Sequence, residues 1–251
     1  MNMKNLQTGL HYFFRTSEDI NYMQNKYLMF ACVMIWAVVF FVSYRKNIKK
    51  LNIEFIRVSG FTLLSLQLAV CIWLLSVRSN PLFDSLPLYF CRMASIVIGY
   101  SLMRYRIKGK VVNFFALFSV FGASIALLVP VMENYNFPHI TGVTYILIHS
   151  LLLFESMYVV RTSGVNLSRN TIIKISAAVI IPIHILNIVI GSNYAYTMKL
   201  PSILSVIPDQ CAAVFIVATT VYTVIIVQMV KNSGNTIRET ISEKIVFGRN
   251  N

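Results

Sequence analysis

The chain has 251 residues, of which 57% are hydrophobic and only 12% charged. Soluble domains carry about 25% charged residues, so this composition excludes an ordinary soluble fold and points to a membrane protein. The net charge of +13 raises nucleic acid as a partner, but the basic residues cluster between apolar runs, where topology and anionic lipid account for them, and no nucleic acid is expected.

Residues 1–26 are polar and aromatic, without the basic start, apolar stretch and cleavage site of a leader, so no cleavable signal is expected. The first apolar run, "YLMFACVMIWAVVFFVSY" (27–44), has 18 residues and no charge, close to the ~20 that cross a bilayer. Further runs follow near 55–77, 86–103, 111–132, 141–160, 171–191 and 203–230. The expected fold is therefore all-α, a polytopic membrane protein with seven transmembrane helices. It reads as one membrane domain over 1–251, with an extracellular segment 1–26, a seven-helix bundle 27–230 and a cytoplasmic tail 231–251. Basic residues set its orientation. Sixteen lie in the first, third and fifth connections and the tail, against five on the opposite side, with Arg92 inside a run. The positive-inside rule then puts the N-terminus outside and the C-terminus in the cytoplasm, with anionic lipid expected at the cytoplasmic loops.

Polar groups inside a membrane are costly and mark function by default. The third run enters from outside near Leu86, which puts Cys91 about 7–8 Å deep. The fifth enters near Thr141, which puts His149 about 12 Å deep. Both runs point the same way, so a thiol and an imidazole are expected at similar depths. His184 and Asn187 share a helix face near the outer end of the sixth run, and Asn193 and Tyr194 stand at its exit. Arg92 either snorkels to the headgroups or assists the thiol, and Glu155 is expected to pair with a basic residue near the cytoplasmic side. The four cysteines (Cys32, Cys71, Cys91, Cys211) show no CxxC pairing. His139, His149 and His184 lack the spacing of a zinc motif, and neither metal nor cofactor is expected.

The ordered set "LPLYFC" (86–91), "VPVMENYNFPH" (129–139), His149-Ser150 and Asn187 with "GSNYAYTMKLP" (191–201) resembles the YwaF-type bacterial membrane proteins. These are similar to an animal cysteine phospholipid acyltransferase of the TMEM class, and more distantly to the ADTRP-type lipid hydrolases. The resemblance implies a catalytic pair of Cys91 and His149 in the bacterial cytoplasmic membrane. Relatives often have Cys-Asp where this chain has Cys91-Arg92, and a Gly-Pro-Trp-Pro segment is reduced to "VIPDQ" (206–210).

The expected chemistry is attack of Cys91 on a phospholipid ester in the outer leaflet, with His149 as general base, to give a thioester and a lysolipid. A lysolipid acceptor then takes the acyl group. Asn187 and Asn193 are expected to bond the oxyanion or phosphate, and Tyr194 to orient His149 or the headgroup. A hydrolase differs only in using water as acceptor. A transporter or a structural protein is the reading from a different class.

Overall fold

The computed structural model describes residues 9, 11–16, 26–133, 135–201, 204 and 206–247. All regular elements among them are helical. The main helices are α1 (Lys26–Tyr44), α2 (Ile53–Val77), α3 (Phe90–Met103), α4 (Lys110–Leu128), α5 (Ile140–Thr162), α6 (Arg169–Ile190) and α7 (Ala212–Phe247). Six are long and apolar enough to cross a membrane. The exception is α3, whose 14 residues rise only about 21 Å against the ~30 Å hydrocarbon core. The seven long spans expected thus become six, with α3 a shorter apolar helix. The last helix also runs past residue 230 to Phe247, through most of the expected tail. The expected N-terminal segment lies largely outside the described residues.

Local chemistry explains most helix ends. Asn52 caps α2 by accepting from the Glu54 N–H, and Ser168 caps α6 by accepting from Thr171. His139 caps α5: its Nδ1 accepts from the Thr141 N–H, so Nε2 carries the proton and donates to the Arg15 carbonyl at 3.0 Å. This histidine, one of three weighed for metal, is occupied with the fold. Gly191, at φ 71°, ends α6 in the left-handed conformation that glycine tolerates.

The helices α2 and α3 pack backbone to backbone, as membrane helices with small interfacial residues do. A Cβ added at Gly60 would lie 2.8 Å from the Gly99 carbonyl oxygen and 2.7 Å from Leu102 Cβ. One added at Gly99 would lie 2.9 Å from the Gly60 oxygen and 3.1 Å from the Leu64 nitrogen. The outward faces are apolar and bare, with Phe30, Val58, Ile188 and Val189 all more than half exposed, as surfaces that meet lipid are.

Between α2 and α3 the chain makes one helical turn (Pro81–Asp84) and then runs extended into α3. Side chains from elsewhere satisfy its backbone. The Tyr194 hydroxyl donates to the Leu82 carbonyl (2.8 Å) and accepts from the Leu86 N–H (3.0 Å). The Asp84 carbonyl accepts from Arg92 and that of Ser85 from the Cys71 thiol. Non-helical backbone at membrane depth needs such partners.

Candidate functional site

A cavity of about 630 Å³ opens between α2, α3, α4, α5 and α7 at the end where α3 and α5 begin. Cys91, Arg92 and His149 all line it. Cys91 is the second residue of α3, in the first helical turn, where a full turn of helix was expected above it. Measured from the far ends of their helices, Met103 and Thr162, Cys91 stands about 18 Å and His149 about 20 Å along the axis.

Gly122 of α4 stands beside the thiol, and it lines the cavity with Cys91 and His149. A Cβ on Gly122 would sit 3.7 Å from Cys91 Sγ. The Tyr145 hydroxyl of α5 donates to the Ala126 carbonyl of α4 at 2.8 Å, and the two helices run antiparallel. A side chain at Gly122 would crowd the Phe118 ring at 3.2 Å and then the thiol.

The imidazole is oriented by its own helix. His149 Nδ1 lies 2.8 Å from the Tyr145 carbonyl oxygen. A carbonyl only accepts, so Nδ1 carries the proton and Nε2 holds the free lone pair. The Tyr145 ring packs against the imidazole with centroids 4.2 Å apart. Among the described residues Nε2 has no hydrogen-bond partner, which leaves it available as a base.

Arg92 reaches back past the start of its own helix. Its guanidinium donates to the Asp84 carbonyl at 3.0 Å and lies over the Tyr89 ring, while the side chain lines the cavity. Asp84 and Glu133 flank the same opening and are both bridged by Arg78. Burial pushes the phenol of Tyr196, another lining residue, above its ordinary pKa, with the Arg92 charge opposing. Tyr196 therefore remains a neutral hydroxyl.

The other expected site residues do not join the lining. Asn187 is fully buried, and both faces of its amide are spent: Nδ2 donates to the Tyr194 carbonyl and Thr197 Oγ1, while Oδ1 accepts from Ser192 Oγ and the Tyr194 N–H. An amide with two donors and two acceptor positions so filled has nothing left for an oxyanion. Asn193 bonds Met198 and Lys199 of its own loop. Tyr194 is occupied with Leu82 and Leu86, and His184 with Thr197 Oγ1 at 3.2 Å. These four residues fasten loop 191–199 and pin it to the strip before α3. The loop in turn presents Ala195 and Tyr196 to the cavity, with φ of 52° and 57°, a left-handed conformation that costs energy for residues other than glycine. Asn187→Leu orphans several buried groups at about 1–3 kcal/mol each. It is expected to lower thermal stability in detergent by several degrees or more, and a melting curve equal to wild type would contradict the knot.

Glu155 departs from expectation. It is fully buried on α5, and among the described residues neither carboxylate oxygen has a hydrogen-bond or basic partner. Two contributors escaped the sequence reading. Gln67 of α2 lines the cavity, is 1% exposed, and its Nε2 has no partner among the described residues. Its signal was an amide within an apolar run. Tyr145 had the signal of standing four residues before His149. Among the described residues no three His, Cys, Asp or Glu side chains gather as a metal site.

Neither the curated proteins nor the solved structures contain a match to this chain. The model of the TMEM164 family matches residues 13–230, and with its apolar helices the chain is a multi-pass membrane protein. The chain belongs to the TMEM164 family.

Proposed function

We propose that this TMEM164-family protein is a lipid acyltransferase working through a cysteine thioester. The observation that carries the reading is a single cavity lined by Cys91 and His149, with the imidazole held by Tyr145 in the tautomer that leaves Nε2 basic. The resemblance to cysteine acyltransferases of the TMEM class supports the same pair.

In the proposed reaction His149 Nε2 takes the thiol proton as Cys91 Sγ attacks the ester carbonyl. The tetrahedral intermediate collapses with cleavage of the carbon–oxygen bond. The proton passes from His149 to the leaving alcohol, and a lysolipid departs. A lysolipid hydroxyl then gives its proton to His149 and attacks the thioester, which restores the thiol. The oxyanion needs donors. The first turn of α3 has no side-chain cap, so its leading N–H groups are free to serve beside Cys91. Gln67 supplies a further amide, in place of the saturated Asn187. Arg92 attracts the lipid phosphate at the opening.

The orientation belongs to this proposal. With the basic connections in the cytoplasm, the N-terminus lies outside, α3 completes seven crossings, and the cavity faces the outer leaflet of a bacterial cytoplasmic membrane. Hydrolysis of the thioester is the second reading, favoured by the acids Asp84 and Glu133 at the cavity wall, which keep that side wet.

The test uses purified protein, acyl-labelled phospholipid and a lysolipid acceptor. The expected result is a hydroxylamine-sensitive acyl adduct on the Cys91 peptide, absent from Cys91→Ala, and label appearing in the acceptor. Label released only as free acid supports the hydrolase. Equal label transfer by Cys91→Ala removes the reading altogether and favours a transporter or structural role.

A further inference from the structure

A second cavity, of about 740 Å³, lies at the opposite end of the bundle and shares no lining residue with the first. Four cations line it: Lys49 from the turn between α1 and α2, Arg106 and Lys108 from the α3–α4 loop, and Arg161 from the last turn of α5. Among the described residues no aspartate or glutamate lines it. Lys49, Arg106 and Lys108, like charges from two chain segments around one concavity, repel one another and favour an anion between them.

The cavity is built rather than merely charged. Asn113 is 1% exposed, and its Nδ2 donates to the carbonyls of Ile107 and Gly109 at 2.9 Å each. Its Oδ1 accepts from Ser163 Oγ at 2.5 Å. A buried amide thus draws two loop carbonyls inward and ties the loop to the end of α5. The Arg106 N–H donates to the Ser101 carbonyl at 2.7 Å, and Tyr105 turns at φ 52°. Arg161 is braced by the carbonyls of Ser43 and Arg45. The hydroxyls of Tyr105 and Tyr158, 3.5 Å apart, add polar donors to the lining. Such donors and cations suit an oxyanion of high charge, above all a phosphate.

The position identifies what carries the phosphate. The cavity sits where α3 and α5 end and α4 begins, the level of lipid headgroups in a membrane protein. Tyr100 and Val111, on the helices that flank the α3–α4 loop, are exposed, as residues that meet acyl chains are. We infer that this cavity binds the phosphate of an anionic phospholipid headgroup. Basic pockets between spans are a recurrent form of such recognition. The inference does not rest on the acyltransferase reading.

The experiment titrates full-length protein in neutral detergent with dioctanoyl phosphatidic acid, dioctanoyl phosphatidylcholine and inorganic phosphate, read by native mass spectrometry. Phosphatidic acid is expected to bind and phosphatidylcholine not. The triple variant Lys49→Gln/Arg106→Gln/Lys108→Gln is expected to weaken binding roughly tenfold to a hundredfold. Arg169→Gln/Lys174→Gln, which removes two charges from α6 outside the cavity, should leave it unchanged. The altered cations are all exposed, and an unchanged elution profile checks that the variants fold. Inorganic phosphate competing as well as the lipid would support the phosphate site and assign it to a soluble ligand, whereas weak competition supports the headgroup. Equal binding by the triple variant, an equal loss in the α6 variant, or equal binding of phosphatidylcholine would each overturn the inference.

Discussion

Replacing His149 by alanine is expected to slow acyl transfer by about 10²–10⁴-fold, the usual worth of a positioned general base, with little loss of folded protein. The imidazole spends only Nδ1 on the fold, through one hydrogen bond to the Tyr145 carbonyl within its own helix. That carbonyl also belongs to the α-helical ladder, so its loss of a second partner is cheap. Nε2 makes no structural bond among the described residues, and its removal is felt in proton transfer alone. His149→Gln keeps a donor and the approximate size but cannot take a proton at neutral pH, so it should be as slow as alanine. Formation of the Cys91 adduct measures this step directly. If His149→Gln forms the adduct at the wild-type rate while Cys91→Ala forms none, the nucleophile stands and the base must be sought elsewhere.

Gly99→Leu is expected to destroy the fold rather than the chemistry. The obstacles to a side chain there are the Gly60 carbonyl oxygen at 2.9 Å and the Leu64 nitrogen at 3.1 Å, both backbone atoms of α2 that cannot rotate aside. The helices must part, and overpacking of this kind costs about 1–3 kcal/mol or more, with the loss of α2–α3 contacts added. Since α3 carries Cys91 in its first turn, parting the helices also dismantles the cavity. Little monodisperse protein should survive extraction in detergent. Gly109→Ala is the control, because the nearest atom to a Cβ there is 3.5 Å away. Full recovery of Gly99→Leu would show that the seam tolerates separation.

How much of this was legible in the sequence varies with the range of the interaction involved. Apolar runs mark α1, α2, α5 and α6 to within a few residues, because span length and hydropathy are local properties. The start of α3 was misplaced. Residues 86–89 are as apolar as the helix that follows, and what holds them out of it is Tyr194, more than a hundred residues away. The same long-range dependence hid the work of Asn187. Its chemistry suits an oxyanion donor, and only the closure of loop 191–199 reveals that its bonds are already made. Helix direction and depth set Cys91 and His149 at similar levels, the resemblance made them a pair, and both line one cavity. Gln67 was passed over because a lone amide within a 25-residue apolar helix barely alters its average character.

The shortness of α3 has a consequence for the bilayer itself. A helix rising about 21 Å leaves roughly 9 Å of a ~30 Å hydrocarbon slab to be spanned by other means. Here the deficit falls to residues 81–89, whose backbone groups at Leu82, Asp84, Ser85 and Leu86 find partners within the protein. With α3 as the proposed seventh crossing, this flank would present a hydrophobic mismatch, and lipids meet such a deficit by thinning locally. Thinning lowers the glycerol ester region of neighbouring lipids toward the first turn of α3. On the proposed acyltransferase reading, the ester bond would thereby come part of the way to Cys91, and a lipid would not have to be lifted whole out of its leaflet to reach the thiol.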